Sequence, residues 1–324
     1  MTDFLKYIVH APQLLITWTI FFGFGIAVYV VYAIKNHALF SLKELAEHCV
    51  PFNVLTEKSF HADVKIYIIG KIIDGFLVMP AVLITALCCE GYNSLLHLVF
   101  SSFQCIQFSL FYASICTIVM FFVVEFSDFL CHYSEHKVPF LWELHKVHHS
   151  AQTLNPLTSK RGHPVEVVLE AVVKGLLTAM PGGLFMFLFG LSVVEATSLS
   201  WVASKVFVLL TLDPLKHSHL PISLGIFDRF LISPHMHQIN HSKVKAHWDK
   251  NFGTNLSIFD WMLGTAYKPC RGEKPIFGIS GLSDETLMKY NSLYGAYVEP
   301  LVKSYRKIRT LFVGKSGLAG RSAS

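Results

Sequence analysis

Closely spaced histidines are the residues of this sequence best suited to chemistry. The chain has 17 histidines in 324 residues, against 22 aspartates and glutamates together. His132 and His136 are four positions apart, a spacing that places both on one face of a helix. A second array, at positions i, i+3 and i+4, consists of His145, His148 and His149. Imidazole binds zinc, copper, iron and nickel well, so both arrays predict metal ligation.

A third group of histidines follows further along the chain. His237 and His241 repeat the spacing of four, and the neighbouring histidines are His217, His219, His235 and His247. Roughly eight imidazoles from three segments are therefore available to one site. A structural zinc takes about four ligands and a catalytic zinc about three plus water, so this supply fits two metal ions better than one.

Long apolar runs place these arrays in a membrane protein. Apolar residues make up 52% of the chain, charged residues only 15%, and the mean hydropathy is +0.47. Runs of about 20 apolar residues span a hydrocarbon core of ~30 Å, and the candidates here are residues 11–34, 66–89, 99–124, 175–194 and 196–212. We predict an all-α, multi-pass membrane helical bundle with about four or five transmembrane helices, the last two joined by a turn at Glu195.

The distribution of basic residues predicts which side of the membrane the histidines occupy. Lysines are retained on the cytoplasmic side of short loops, and the connection between the first two candidate helices contains Lys35, Lys43, Lys58 and Lys65. The connections after the second and fourth candidates contain no Lys or Arg. Alternation of the helices then puts the histidine cluster in a helical cap on the cytosolic side. We expect a bacterial inner membrane, with the endoplasmic reticulum membrane as the alternative.

The chain divides into three regions on this interpretation. Residues 1–98 hold the N-terminal membrane helices, residues 99–270 form the catalytic domain, and residues 271–324 form a basic cytosolic tail that we expect to be partly disordered. The seven cysteines contain no C-x-x-C pair and are interpreted as reduced packing residues. The formal charge of +5 is modest and lacks the pattern of a nucleic-acid-binding surface, so no nucleic acid is expected as a partner.

The membrane setting favours iron at the histidine site. A site beside a bilayer meets apolar substrates with few bonds to hydrolyse, and oxidation of an unactivated C–H bond requires a redox metal with dioxygen. Ligating imidazoles also need acceptors for their second N–H, and the nearby carboxylates are Asp128, Glu135, Glu143 and Asp249. We therefore predict an oxidoreductase that holds its substrate in an apolar cleft between helices.

The order of the motifs resembles that of one known family. The pattern D-x-x-x-H-x-x-x-H begins at Asp128 and is followed by P-x-L-W-x-x-H-x-x-H-H-S from Pro139 and R-x-H-P from Arg161. A later H-x-x-x-H precedes N-F-G and D-x-x-x-G-T, which ends at Thr265. Together these motifs resemble the fatty acid hydroxylase and sterol desaturase superfamily. Its members are membrane-embedded, non-haem di-iron enzymes that hydroxylate or desaturate sterols, fatty acyl chains, sphingoid lipids, alkylglycerols or carotenoids.

The resemblance implies a cofactor, a substrate class and a partner. It implies two iron ions, O2 as co-substrate, a membrane lipid as substrate, and a separate electron donor, either cytochrome b5 or a ferredoxin with its reductase. We favour hydroxylation over desaturation. By motif position, the implied metal ligands are His132, His136, His145, His148, His149, His217, His237 and His241. His163, in the R-x-H-P motif, is expected to support the site rather than to bind metal.

One position departs from the family pattern. The family has H-x-x-H-H in the last array, whereas this chain has Asn240 before His241. Asn240 could bind iron through its carbonyl oxygen or through a water, or the missing imidazole could be replaced by His219, His235 or His247. A weakened site with little activity is the other outcome. Asp128, at the start of the first motif, is a further candidate for binding metal or supporting a ligand.

Two other functions would use the same histidines. A membrane metal transporter needs ionisable groups along its membrane helices, but residues 99–124 contain no charged side chain. A zinc-dependent membrane hydrolase would place a glutamate beside its ligands, as in H-E-x-x-H, and here Lys146 follows His145. Both functions are therefore less favoured than the oxygenase.

Overall fold

The computed structural model describes residues 41–49, 52–270 and 272–313, with isolated positions between 19 and 34. Within these ranges the chain is helical, and strand pairing is limited to two isolated bridges, Leu231 with Leu256 and Ser242 with Phe277. The predicted all-α class is therefore confirmed. The predicted first membrane helix, residues 11–34, lies mostly outside the described residues, as do residues 314–324 of the predicted tail.

The described residues form eleven α-helices and several shorter helical turns. The α-helices are α1 (Leu42–Cys49), α2 (Phe52–Thr56), α3 (Lys58–Val99), α4 (Leu110–Lys137), α5 (Pro139–His149), α6 (Pro164–Phe189), α7 (Val193–Leu210), α8 (Pro234–Asn240), α9 (Ile258–Leu263), α10 (Asp284–Lys289) and α11 (Glu299–Val313). The 3-10 turns are Pro156–Lys160, Asp213–Leu215, Gly225–Arg229 and Lys245–His247, and one π turn covers Tyr294–Val298. The segment predicted to be a partly disordered tail thus contains α10 and α11.

Three helices of the described part are long and apolar enough to cross a membrane. They are the Met79–Val99 part of α3, and α4 and α6. Their outward side chains are apolar, including Leu87, Leu98, Leu110 and Phe111, which are all exposed. Exposed apolar surface of this extent fits contact with lipid rather than with water. The protein is accordingly a membrane protein, as the composition predicted.

The ends of the membrane helices differ from the sequence prediction. The predicted helix 66–89 is part of a single 42-residue helix, α3, and the helix expected from residue 99 begins only at Leu110, where the Ser109 side chain caps it. The hairpin between α6 and α7 turns at Gly190, whose left-handed φ of 65° suits glycine. Glu195 lies in the first turn of α7, where its carboxylate accepts the N–H of Ser192. Apolar composition marks a membrane run but not the residue at which its helix ends.

Glycines let α3 and α6 approach each other closely. At Gly183 of α6 an added Cβ would lie 2.7 Å from the carbonyl oxygen of Cys89 and 3.0 Å from Cβ of Tyr92, both on α3. At Gly175 an added Cβ would overlap the Thr85 side chain. Small residues allow this close backbone approach between membrane helices. The packing fixes α6, whose first turns border the histidines.

Arg161 joins three parts of the fold next to the second histidine array. The residue is 0% exposed, and its guanidinium donates to Asp63 Oδ1 of α3 at 2.8 Å, to Val147 O of α5 at 3.0 Å and to Asn291 Oδ1 at 2.8 Å. The ion pair and these charge-assisted hydrogen bonds offset the cost of burying the guanidinium. The C-terminal end of α5, which carries His149, is thereby anchored to α3 and to the C-terminal region.

Candidate metal centre

The first two histidine arrays lie on consecutive helices that meet at a proline. α4 carries His132 and His136 one turn apart and ends at Lys137. Pro139 is the first residue of α5, a position at which its missing N–H and fixed φ favour helix initiation. α5 then carries the second array in its last two turns. The change of direction between α4 and α5 turns the two arrays towards each other.

The third array comes from two short helical turns. His217 follows the 3-10 turn Asp213–Leu215, and His237 lies on α8, which Ser233 caps through a hydrogen bond from the N–H of Met236. His241 directly follows the end of α8. All eight histidines implied by the motifs therefore reach one region of the fold.

The eight histidines divide into two groups of four. In the first group, site A, the potential ligand atoms lie within 4.8 Å of one another and belong to His132, His136, His145 and His149. The Nε2 atom of His149 is 3.1 Å from that of His136 and 3.1 Å from that of His145. Site A is thus built from α4 and α5.

The second group, site B, combines one residue of α5 with the third array. It consists of His148, His217, His237 and His241. The Nε2 atom of His217 is 3.3 Å from that of His148, 3.2 Å from that of His241 and 3.0 Å from that of His237. The two sites are adjacent, because the ring of His241 is 4.5 Å from the rings of both His148 and His149.

The spacing within each site fits a shared metal ion. Four nitrogens about 2.1 Å from one ion are about 3.0 to 3.4 Å apart, and the measured separations agree. His132 adds an independent observation. Its Nδ1–H donates to the carbonyl of Phe252 at 2.9 Å, so Nε2 is the acceptor nitrogen, and this buried atom has no hydrogen-bond partner among the described residues. The residues present therefore fit imidazole-bound metal at both sites.

Burial keeps the imidazoles neutral. Removal from water disfavours the charged form, so burial lowers the pKa of His145 and of His217 to about 3. The same cause lowers the pKa well below its ordinary value in His148, His149, His237 and His241. Each of these rings has a lone pair available for a metal at neutral pH.

Carboxylates hold one of the site A imidazoles in place. His145 Nδ1 lies 2.9 Å from Glu166 Oε1 and 3.2 Å from Glu135 Oε2. A carboxylate that accepts the outer N–H of a ligating imidazole fixes the ring and its tautomer. Asp249 lies further away, with Oδ1 3.8 Å from His136 Nδ1. The sequence analysis named Glu135 and Asp249 but missed Glu166. The signal that could have found it is the pair Glu166 and Glu170, four positions apart at the start of a mainly apolar helix.

The other predicted carboxylates have different partners. Glu143 accepts a hydrogen bond from Lys146 at 2.8 Å, and Asp128 pairs with Lys174 at 2.5 Å. Neither contact involves a histidine of the two sites. Glu143 is therefore a buried carboxylate whose partner is a lysine of its own helix, whereas Asp128 lines a cavity beside the histidines.

The additional candidate histidines lie outside both groups. His163 caps α6, where its Nδ1 accepts the N–H of Val165, and its Nε2 donates to the carbonyl of Tyr297. Two more of them form hydrogen bonds with Glu273. Its backbone carbonyl accepts from His235, and its carboxylate accepts from His247. His219 is absent from both groups within the described residues. These four residues are therefore not brought to the metal-ligand positions.

Asn240 lies beside site A. The residue is only 5% exposed. Its Nδ2 donates to the carbonyl of Lys250 at 2.7 Å. That bond fixes the orientation of the amide, whose Oδ1 has no hydrogen-bond partner among the described residues. Asn240 also lines a cavity together with His136 and His149. The oxygen Oδ1 of Asn240 is thus fixed in orientation and free to bind a ligand, at the position where the family pattern has an imidazole.

A family model confirms the resemblance. The model described as "Fatty acid hydroxylase" matches residues 117–265, which include both sites. This part of the chain, just under half of its length, therefore has the sequence of a fatty acid hydroxylase domain. The similar curated proteins include ornithine lipid hydroxylase OlsE of Rhizobium tropici, 27% identical over 49% of this chain and 44% of the relative.

Two further relatives of this chain are alkylglycerol monooxygenases. The Caenorhabditis elegans protein is 22% identical and the Homo sapiens protein 24% identical, each over 49% of this chain, and 28% and 32% of the two relatives are covered. The chain therefore matches less than half the length of these curated relatives. No solved structure matches the chain significantly.

The histidines of the fatty acid hydroxylase domain separate two cavities. A cavity of about 330 Å³, here called the tryptophan cavity, is lined by Trp142 and Trp248 together with His136, His149 and Asn240. The ring of Trp142 is 5.0 Å from that of His136 and 5.4 Å from that of His149. This cavity reaches only site A among the two histidine groups.

The second cavity reaches both sites. It has a volume of about 380 Å³ and is called the glutamate cavity for Glu135, Glu166 and Glu170 in its wall, beside His132, His145, His148, His217 and His237. The sequence predicted an apolar cleft at this place. Among the described residues that line the cavity, however, Val167 is the one aliphatic side chain. The polar ends of α4 and α6 meet at this cavity. The apolar composition of the two helices did not predict a polar cavity there.

Proposed function

We propose that this protein is an iron- and O2-dependent lipid hydroxylase. The proposal depends on one observation. Two adjacent four-histidine sites lie near the ends of membrane helices within a fatty acid hydroxylase domain. The relatives named as an ornithine lipid hydroxylase and as alkylglycerol monooxygenases support a lipid substrate. Hydroxylation is proposed rather than desaturation, because each of these relatives is named for oxygen insertion.

The proposed ligands divide between two iron ions. His132, His136, His145 and His149 would hold one ion at site A, and His148, His217, His237 and His241 the other at site B. We further propose that Asn240 Oδ1 contributes an oxygen donor on the side of site A. Its fixed amide and unpartnered oxygen support that role.

Iron held by imidazoles activates dioxygen when electrons are supplied, which zinc does not do. The overall reaction converts one C–H bond and O2 into C–OH and water, and it consumes two electrons and two protons. A separate one-electron carrier, cytochrome b5 or a ferredoxin with its reductase, supplies the electrons in this proposal. The site is proposed to face the cytoplasm, where such carriers are found, in a bacterial inner membrane.

The chain's own residues prepare the site for this chemistry. Glu135 and Glu166 hold the ring of His145, and the carbonyl of Phe252 holds that of His132. Burial keeps the ligands neutral and limits water at the reacting centre. The glutamate cavity, which borders both sites, places the substrate beside them.

Metal analysis and product analysis together test the proposal. Purified protein should contain about two iron ions per chain, and His149→Ala and His241→Ala should each reduce this to about one. Incubation with 18O2, reductant and membrane lipid should give one lipid product with one labelled oxygen. Stoichiometric zinc with lipid hydrolysis, or bound metal without any lipid product, would contradict the proposal. His247→Gln is a matched control, since this histidine lies outside both sites.

A further inference from the structure

The glutamate cavity has many ionisable side chains in its wall. Its carboxylates are Asp128, Glu135, Glu166, Glu170 and Asp213, and its lysines are Lys71, Lys160 and Lys216. A hydrocarbon chain placed among these groups would desolvate them without replacing their hydrogen bonds to water, which is costly. The cavity is therefore unsuited to an acyl chain and suited to a polar group.

Two of the carboxylates are already paired with lysines. Asp213 pairs with the buried Lys216 at 2.8 Å, and Asp128 pairs with Lys174 at 2.5 Å. The three glutamates have no such lysine partner within 4.0 Å in the described part of the chain. The carboxyl groups of the cavity that have no lysine partner are thus the three glutamates of α4 and α6.

One of the two carboxylate oxygens of Glu166 receives no hydrogen bond from the described residues. Its Oε1 accepts from His145 Nδ1, which Glu135 also approaches, and one Nδ1–H cannot satisfy both carboxylates fully. The residue is 6% exposed, and its Oε2 has no hydrogen-bond partner among the described residues. A metal ion beyond His145 offsets negative charge but donates no hydrogen bond to this oxygen. A ligand with N–H donors would satisfy it.

Two of the lysines that line the cavity, Lys71 and Lys160, are exposed. On α3, Ile68 and Ile72 share a face with Lys71 and are 53% and 61% exposed. Exposed apolar surface therefore adjoins a lysine of a polar cavity, an arrangement suited to the boundary at which a lipid's hydrocarbon chains meet its headgroup.

We propose that the glutamate cavity binds the zwitterionic headgroup of an aminolipid, a proposal that rests on the lipid hydroxylase function above. The primary ammonium lies against Glu166 and Glu170, the anionic group of the headgroup lies against Lys71 and Lys160, and the acyl chains remain in the bilayer. Because the cavity borders both sites, oxidation falls on the headgroup or on the carbons that join it to the chains. The anionic group is a phosphate or a carboxylate.

A binding experiment tests the headgroup without requiring turnover. Native mass spectrometry of the detergent-purified protein would compare four lipids of matched acyl-chain length: phosphatidylethanolamine, ornithine lipid, phosphatidylcholine and diacylglycerol. We expect one or both lipids with a primary ammonium to be retained about tenfold better than the other two, because only these headgroups donate charge-assisted hydrogen bonds to a carboxylate. Phosphatidylcholine is the matched control, since it has a cationic headgroup without N–H donors. Equal retention of all four lipids would overturn the proposal.

Variants locate the binding in the cavity. Glu170→Gln and Lys160→Met should each reduce the preference several-fold, with iron content unchanged. Glu195→Gln, on α7 and bound to Ser192, is the control that should keep the preference. A preference that survives both cavity substitutions would place the headgroup elsewhere.

The position of the hydroxyl group separates this proposal from the proposed function. Tandem mass spectrometry of the product should find the labelled oxygen in the headgroup or linker fragment. A hydroxyl on the acyl chain would leave the hydroxylase function standing and refute the headgroup proposal. Absence of any product with an intact aminolipid preference would refute the hydroxylase function alone.

Discussion

Glu166 accepts the outer N–H of His145 at 2.9 Å, although the two residues are 21 positions apart and lie on different helices. The contact joins α6, a membrane helix, to α5, which supplies three of the eight histidines. A membrane helix thus orients a residue of the metal centre. Substitution of Glu166 should therefore weaken metal binding more at site A than at site B.

Substitution of Glu166 should weaken metal binding selectively at site A. Loss of an outer-shell partner typically costs 10–100-fold in metal affinity, and Glu166→Ala should lose iron from one site at a correspondingly lower chelator concentration. Glu166→Gln should have a smaller effect, because its amide oxygen still accepts the His145 N–H. Iron retained after graded chelator exposure measures both effects.

A carboxylate on α5 provides the control for this experiment. Glu143 is as buried as Glu166 but pairs with Lys146 instead of a histidine. Glu143→Gln should therefore leave the chelator profile unchanged. Simultaneous loss of both iron ions from Glu166→Ala would indicate general unfolding instead of a local role at site A.

Asn240 should influence the ion at site A through its oxygen. Asn240→His replaces that oxygen by an imidazole nitrogen and should keep about two iron ions per chain while changing the Mössbauer parameters of one. Asn240→Ala removes the donor and should lower iron retention at one site. If neither substitution changes the spectrum or the iron content, Asn240 has no role at the metal centre.

The sequence predicted the membership of the histidine cluster but not its division. The i, i+3, i+4 spacing of the second array places His145, His148 and His149 on one helical face, and spacing alone gives no reason for His148 to join site B while its neighbours join site A. That division depends on where the third array docks. His217 and His241 reach α5 through tertiary packing across about 70 to 90 residues of chain.

Contacts between distant segments were also beyond the sequence. Glu166 and the glutamate cavity depend on the close approach of α3, α4 and α6, and no short-range spacing predicts which polar side chains meet there. Helix ends were placed inaccurately for a related reason. The apolar run 99–124 contains both the last residue of α3 and the start of α4, and a hydropathy average does not resolve the break at residues 100–109.

Removal of Arg161 should destabilise the fold through Asp63. Arg161→Met would leave the buried Asp63 carboxylate without its cation, and breaking a buried ion pair in this way costs on the order of 3–5 kcal/mol. The thermal unfolding midpoint in detergent should fall accordingly. Asp63→Asn combined with Arg161→Met should destabilise less than the sum of the single changes, because the second substitution removes the uncompensated charge. Additive effects would show that the two side chains do not depend on each other.

Two glycines test whether close packing of α3 and α6 is required. Gly183→Ala places a Cβ 2.7 Å from the Cys89 carbonyl, so the helices must separate, and the expected loss is about 1–3 kcal/mol. Gly91→Ala is the matched control, because its Cβ would meet no described atom within 4 Å, and alanine in a helix is more favourable than glycine by about 0.5–1 kcal/mol. Thermal unfolding should therefore shift down for the first variant and stay level or rise for the second. Because α6 also carries Glu166, Gly183→Ala should in addition lower iron retention at site A, whereas equal midpoints for both variants would mean that the two helices are not packed as described.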